Sequence, residues 1–139
     1  VFLEGPAFYP PGQFTSAIVF FFFCCGFLAI PWFPMQLFPL LWGGPLMVFL
    51  GWVGLRNGVA DLGGLTRGDW RAVGTFALAA LICGFFWEMW NIHSLAKWTY
   101  AIPYLEGWHV FEMPLAGYVG YLFFGVEVLV VIRCFRFYF

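Results

Sequence analysis

The sequence predicts an all-α integral membrane protein with about four transmembrane helices and an aromatic interfacial segment between the third and the fourth. Three observations predict this fold class. Of the 139 residues, 63% are hydrophobic and 9% are charged, which leaves too little polar surface for a soluble domain of this size. Four apolar stretches are long enough to be membrane spans. Nearly all of the charged residues lie at the ends of these stretches.

The first two predicted spans cover about residues 14–30 and 35–55, and the short turn Pro31–Pro34 separates them. At ~1.5 Å per residue, a helix needs ~20 residues to cross ~30 Å of hydrocarbon. The first span is therefore near the shortest length that can cross the hydrocarbon, whereas the second span is long enough. Pro39 and Pro45 predict a kink in the second span, because each proline removes a backbone donor.

A polar connection, residues 56–71, leads to the third predicted span at about 72–90. Residues 91–112 mix Trp and Tyr with His and charged side chains, which is typical of a segment at the level of the lipid headgroups. The fourth predicted span covers about 113–132, and residues 1–139 together form a single transmembrane domain. Small residues lie four apart in two of the spans, Ala80 and Gly84 in the third and Ala116 and Gly120 in the fourth. This spacing predicts close packing of the two spans, although it also arises by chance.

The basic residues predict the orientation in the membrane. Four spans place five of the six basic residues on one side and leave Lys97 on the other: Arg56, Arg67, Arg71, Arg133 and Arg136. The positive-inside rule then places both ends of this segment in the cytoplasm. We expect the bacterial inner (cytoplasmic) membrane as the location. We also expect a fragment of a longer chain, since the sequence starts at Val1 and stops within an aromatic run at Phe139.

Charge and cysteine usage exclude several function classes. The formal net charge is −1 and no block of like charge is present, so the sequence predicts no nucleic-acid partner. Cys24 and Cys25 are adjacent, while Cys83 and Cys134 lie far from them, and neither a disulfide nor a Cys-x-x-Cys redox pair is predicted. No glycine-rich phosphate-binding loop is present.

Two acidic residues lie within the predicted spans. A charged side chain costs at least ~2.5 kcal/mol at the centre of a membrane helix, so each acid needs a partner or a proton. Glu88 lies near the non-cytoplasmic end of its span and Glu127 in the cytoplasmic half of the next, so the two should not pair with each other. For Glu127 we expect an interhelical hydrogen bond or a pair with Arg56 or Arg71.

Polar and aromatic side chains on the same side of the membrane as Glu88 predict a ligand-binding cluster. Asn91 follows Glu88 by three residues and shares its helix face. The candidate ligand-binding residues are Glu88, Asn91, His93, Trp98, Tyr100, Trp108 and His109. The competing interpretation is a structural network that anchors the aromatic segment to the helix ends.

A metal site is not predicted. His93 and His109 are the only histidines, and His109 lies three residues before Glu112, but no known ligand signature is present. One histidine as axial ligand to a chlorophyll-type magnesium stays open as an alternative.

Between Glu88 and Glu127, the sequence resembles the membrane-embedded lycopene cyclase domain family of carotenoid biosynthesis. The similarity covers about residues 88–127, and its motifs are Glu88, Trp98-Thr99-Tyr100 with Pro103-Tyr104 and Gly107, and Pro114-Leu115 leading to Leu122-Phe123-Phe124. The resemblance implies handling of an isoprenoid or carotenoid. The paired glutamates of the family are replaced here by Ala116-Gly117, which removes the residues expected to protonate the polyene.

These features favour a non-catalytic accessory subunit of a multi-subunit membrane complex, of the photosynthetic or electron-transfer type. Its partners would be other membrane subunits and lipids, and its cofactor contacts a carotenoid, a chlorophyll-type pigment or a quinone. The alternative is an isoprenoid-handling membrane enzyme or carrier. In that case Glu88 acts as acid or base, Asn91 and Lys97 orient the substrate, and the aromatic side chains of the cluster stabilise a polyene or a developing cation.

Overall fold

The computed structural model describes residues 4–9, 11–56, 64–101 and 107–138, with the backbone alone for 136–138. The described chain is mostly helical. Its helices are α1 (Gln13–Ala29), the short α2 (Pro34–Leu37), α3 (Leu40–Leu55), α4 (Arg71–Ile92) and α5 (Val119–Tyr138). Two 3₁₀ turns, Leu65–Arg67 and Leu115–Tyr118, precede α4 and α5. The strands β1 (His109–Val110) and β2 (Met113–Pro114) pair antiparallel and form a small ribbon.

Two helical segments are long and apolar enough to cross a membrane, namely Arg71–Ile92 and Leu115–Phe135. Helices α1 and α3 are apolar but shorter. The all-helical class predicted from the sequence is therefore confirmed in its coarse form. Crossing of the bilayer by four helices stays a prediction.

The chain between residues 35 and 55 contains two helices rather than one kinked helix. Helix α2 ends at Leu37 and α3 begins at Leu40, because Pro39 has no backbone N–H to continue the helical ladder. The amides of Leu41 and Trp42 instead donate to carbonyl groups three residues back, at 3.0 and 3.2 Å, which tightens the turn. Pro45 is accommodated inside α3.

The last helix begins later than the predicted fourth span, which started at residue 113. Residues 109–114 form the ribbon instead, and its turn includes Phe111 with a positive φ of 58°. Pro114 has an extended ψ of 139°, so the helical path starts only after it. The interfacial segment predicted at 91–112 therefore includes the end of α4 and most of this ribbon, with residues 102–106 outside the described ranges.

The four long helices pack in the order α1, α3, α5, α4, each mainly against its neighbour in that row. Glycines permit the close contacts. A Cβ on Gly51 of α3 would lie 2.8 Å from the backbone nitrogen of Phe20 in α1, and one on Gly125 of α5 would meet the backbone carbonyl of Phe76 in α4. Gly120, predicted to face the third span, packs against the ring of Trp42 in α3 instead.

Local contacts define the two ends of the row. At one end, Gly5 and Phe8 donate backbone hydrogen bonds to Gly68 and Leu65, each at 2.9 Å. Leu65 shares a buried cluster with Cys134 near the end of α5. We call this the basic end, because it carries Arg56, Arg67, Arg71 and Arg133. At the opposite end, the ribbon end, Phe38 packs against Met113 and Tyr118.

Asp69 organises the start of α4 at the basic end. Its carboxylate accepts hydrogen bonds from the backbone N–H of Arg71 at 3.0 Å and from the guanidinium of Arg71 at 2.8 and 2.6 Å. These bonds lower the pKa of Asp69 to about 2. The turn before it depends on Gly64 and Gly68, whose φ angles of 103° and 76° favour glycine.

Candidate functional site

A fully buried carboxyl group lies in the last turns of α4, close to the ribbon end. The Glu88 side chain is 0% exposed, and its Oε1 atom accepts hydrogen bonds from the hydroxyl groups of Tyr100 and Tyr121, each at 2.6 Å. Its other oxygen, Oε2, is buried and has no hydrogen-bond partner among the described residues. At 2.6 Å, both bonds are at the short end of the range for O–H···O hydrogen bonds.

Tyr121 reaches Glu88 from α5 because α4 has no side chain one turn earlier. A Cβ on Gly84 would lie 2.5 Å from atoms of the Tyr121 ring, which is closer than real side chains approach. The Tyr121 ring therefore lies flat against the α4 backbone at Gly84 and directs its hydroxyl group toward Glu88.

Asn91 positions the second phenol by holding the chain that follows α4. Asn91 is 1% exposed, and its side-chain amide makes two hydrogen bonds to the backbone of Trp98: Nδ2 donates to the carbonyl at 2.8 Å, and Oδ1 accepts from the N–H at 3.0 Å. The Trp98 indole N–H then donates to the Tyr100 hydroxyl at 2.6 Å. A continuous hydrogen-bonded series thus runs from Trp98 through Tyr100 to Glu88, and we call Glu88, Asn91, Trp98, Tyr100 and Tyr121 the Glu88 cluster.

Tyr100 is a permanent donor at neutral pH. Burial, together with its hydrogen bond to Glu88, raises the pKa of Tyr100 to about 12. Its phenol therefore keeps its proton, and Glu88 Oε1 always has this donor available.

The ribbon packs over the cluster. Met113 in β2 is 1% exposed and shares an apolar cluster with the rings of Tyr100 and Tyr121. The Tyr118 hydroxyl donates to the carbonyl of Val110 at 3.2 Å, which ties the ribbon to the chain leading into α5. Glu88 and Asn91 are consequently enclosed in this conformation, whereas Trp98 is 38% exposed.

The structure brings together four of the predicted site residues, Glu88, Asn91, Trp98 and Tyr100. The other predicted residues lie elsewhere. Lys97 forms an ion pair with Glu112 at 2.6 Å and not with Glu88. The side chains of His93, Trp108 and His109 are exposed, and within the described ranges they take no part in the hydrogen bonds of the Glu88 cluster.

The sequence reasoning missed Tyr121 as a partner of Glu88. A signal for it was present, because Tyr118 and Tyr121 place two hydroxyl groups in a span otherwise rich in Phe and Val. A phenol in an apolar environment needs a hydrogen-bond acceptor, and Glu88 supplies the nearest carboxylate.

The second acid within the spans contacts another helix, as expected. Glu127 Oε1 accepts a hydrogen bond at 3.1 Å from the backbone N–H of Leu46, the residue after Pro45 in α3. The interhelical hydrogen bond predicted for Glu127 is thus confirmed. Arg71, one of the two arginines expected as alternative partners, is bonded to Asp69 instead. In an apolar environment, the backbone groups beside a helical proline need hydrogen-bond partners from neighbouring helices. Glu127 supplies such a partner to the Leu46 N–H.

No metal centre emerges from the described part of the chain, where no three His, Cys, Asp or Glu side chains lie close enough to hold an ion. The donor set of the Glu88 cluster, one carboxylate and two protonated phenols, is that of a hydrogen-bonded network.

Comparison with known proteins finds no family model, curated protein or solved structure that matches this chain. The resemblance to lycopene cyclase domains therefore rests on the quoted motifs alone. The functional proposal depends on the geometry of the described residues.

Proposed function

We propose that this chain is an integral membrane protein in which four helical crossings, α1, α2 with α3, α4 and α5, traverse the bilayer. Two of these segments meet the length and hydropathy needed for a membrane span, and the shorter apolar helices lie beside them in the same row. Four arginines at the basic end and Lys97 near the ribbon end support a cytoplasmic location for the basic end.

The proposed role is that of a non-catalytic accessory subunit of a larger membrane complex. One observation carries this proposal: the row of helices leaves the outer faces of α1 and α4 without a partner in the described chain. Large aromatic side chains are exposed there, among them Phe14 (80%) and Phe22 (67%) on α1 and Phe86 (44%) and Trp90 (64%) on α4. Faces of this size and composition fit neighbouring subunits, pigments or lipids.

In this role the Glu88 cluster is structural. Glu88 and Asn91 are fully buried, and their hydrogen bonds fasten the segment after α4 to the helices. A polar network that is enclosed and largely satisfied rigidifies the part of the molecule it connects. The cluster would then hold the ribbon end in one shape for its partners.

The test is a gentle purification of the tagged full-length protein, followed by mass spectrometry of accompanying polypeptides and an absorption spectrum of extracted pigments. We expect a defined set of membrane subunits, and carotenoid or chlorophyll absorption if the complex is photosynthetic. Replacing Phe21 and Phe22 together by Ala should reduce this co-purification, since both side chains are exposed on α1. Phe33→Ala, at an exposed aromatic residue in the turn after α1, is the control. A stable monomer with no accompanying polypeptide or pigment would contradict the proposal.

A second candidate function, an isoprenoid-handling enzyme or carrier, is favoured by the unpartnered Oε2 of Glu88. A carboxyl group with two phenol donors on one oxygen and a free second oxygen has the composition of a proton-donating or proton-accepting site. In this case Glu88→Gln should abolish turnover of a polyisoprenoid substrate without changing assembly. Unchanged turnover in this variant would count against the enzyme.

A further inference from the structure

A membrane-facing groove between α3 and α5 contains a carboxyl group. The groove has two compartments, of about 290 Å³ and about 250 Å³, and both are lined by Trp42 and Gly120. Trp42 packs directly on Gly120, so its ring forms part of both walls. The second compartment is the one with a charged residue, and its lining consists of Leu41, Trp42, Gly120, Tyr121, Phe124 and Glu127.

Glu127 lines this compartment without a cationic partner among the described residues. Its hydrogen bond from the Leu46 N–H, at 3.1 Å, engages one carboxyl oxygen, and a peptide N–H supplies no positive charge. A carboxyl group within a membrane helix is costly and by default indicates a functional site. The interhelical hydrogen bond thus leaves the carboxyl group of Glu127 without a positive charge to balance its ionised form.

The other walls complement a positive charge. Trp42, Tyr121 and Phe124 present three aromatic rings to the same compartment. The faces of aromatic rings carry negative potential and attract organic cations, most strongly where water is excluded. A neutral lipid would leave the carboxylate unmatched, and a hydrated inorganic ion would gain little from apolar walls.

We propose that the Glu127 compartment binds a lipophilic organic cation, such as a quaternary ammonium compound. The carboxylate of Glu127 neutralises the charge, and the rings of Trp42, Tyr121 and Phe124 enclose the apolar substituents. This binding site is independent of the accessory-subunit role and shares one residue, Tyr121, with the Glu88 cluster.

The test measures binding of benzyltrimethylammonium to the purified full-length protein in detergent micelles by equilibrium dialysis. Its uncharged isostere, neopentylbenzene, isolates the contribution of the charge. Glu127→Gln removes the negative charge but keeps an oxygen that can accept the Leu46 hydrogen bond. We expect saturable binding of the cation, a loss of affinity of at least about tenfold in Glu127→Gln, and no such loss for neopentylbenzene.

Two further variants keep the test decisive. Phe124 is 56% exposed, so Phe124→Leu should fold normally and bind the cation several-fold more weakly. Glu112→Gln removes an acid at the ribbon end, outside the groove, and should bind it as the unmodified protein does. Absence of saturable binding, equal affinity in Glu127→Gln, or equal affinity for the cation and its uncharged isostere would each overturn the proposal.

Discussion

Replacing Tyr121 by Phe removes a single hydroxyl group from the Glu88 cluster and leaves the ring on Gly84. A hydrogen bond contributes about 0.5–1.5 kcal/mol net in soluble proteins, and bonds between membrane helices average about 0.6 and reach about 1.7 kcal/mol. The bond from Tyr121 is short, at 2.6 Å, and Glu88 is fully buried with Oε2 unpartnered. We therefore expect Tyr121→Phe to lower the free energy of unfolding by about 1–2 kcal/mol.

The assay is reversible unfolding of the full chain in mixed micelles of mild detergent and SDS, followed by the circular dichroism of the helices. Tyr9→Phe is the matched control, because Tyr9 is 72% exposed, and its effect should stay within about 0.5 kcal/mol. Tyr100→Phe completes a double-mutant cycle. Since both phenols donate to the same oxygen, the combined cost should differ from the sum of the single costs by at least about 0.5 kcal/mol. If Tyr121→Phe unfolded at the same SDS fraction as Tyr9→Phe, the reasoning would be refuted.

Three other predictions concern packing, backbone pairing and pH. Gly125→Ala should destabilise the protein by about 1–3 kcal/mol in the same assay, because its Cβ meets the backbone of α4, whereas Gly43→Ala, with nothing within 4 Å of the added atom, should not destabilise it. Asn91→Leu should speed hydrogen exchange at the Trp98 amide and cost about 1–3 kcal/mol for each backbone group left unpaired, and unchanged exchange would contradict the assigned role. The pKa of Asp69 is lowered from 3.8 to about 2, so its stabilisation is complete above about pH 4 and disappears as the pH falls through about 2. Asp69→Asn should remove this acid dependence from hydrogen exchange at the start of α4, and persistence of the dependence would assign it to another group.

The sequence predicted that the chain forms long apolar helices, but it could not predict how they pack. Helix neighbours are usually inferred from an apolar face, and here the helices are apolar all round, so no face is marked. The contact of Gly51 with the Phe20 backbone depends on the position of α1 beside α3, which the sequence does not specify. The sequence also could not predict that α5 begins as late as Val119, because Met113 and Pro114 continue the hydrophobic run although they form a strand.

The candidate site was partly predictable because buried polar groups are costly. Glu88 and Asn91 had to find partners, and their spacing of three residues placed them on one helix face. Tyr121 is 33 residues from Glu88 and belongs to another helix, so spacing along the chain carried no information about it. His93 and His109 were assigned to the cluster from their side of the membrane alone. Both side chains are exposed.

The row order of the helices has a consequence for how the molecule assembles. Two helical hairpins, α1 with α3 and α4 with α5, join segments that are close in sequence, so each can form without the other. The seam between α3 and α5 must form last, because it closes the longest loop; the hydrogen bond from Leu46 to Glu127 there joins residues 81 positions apart. Within the described ranges, that bond is a side-chain hydrogen bond between α3 and α5, and it favours one register for the two hairpins. Errors in assembly would therefore concentrate at this seam rather than within either hairpin.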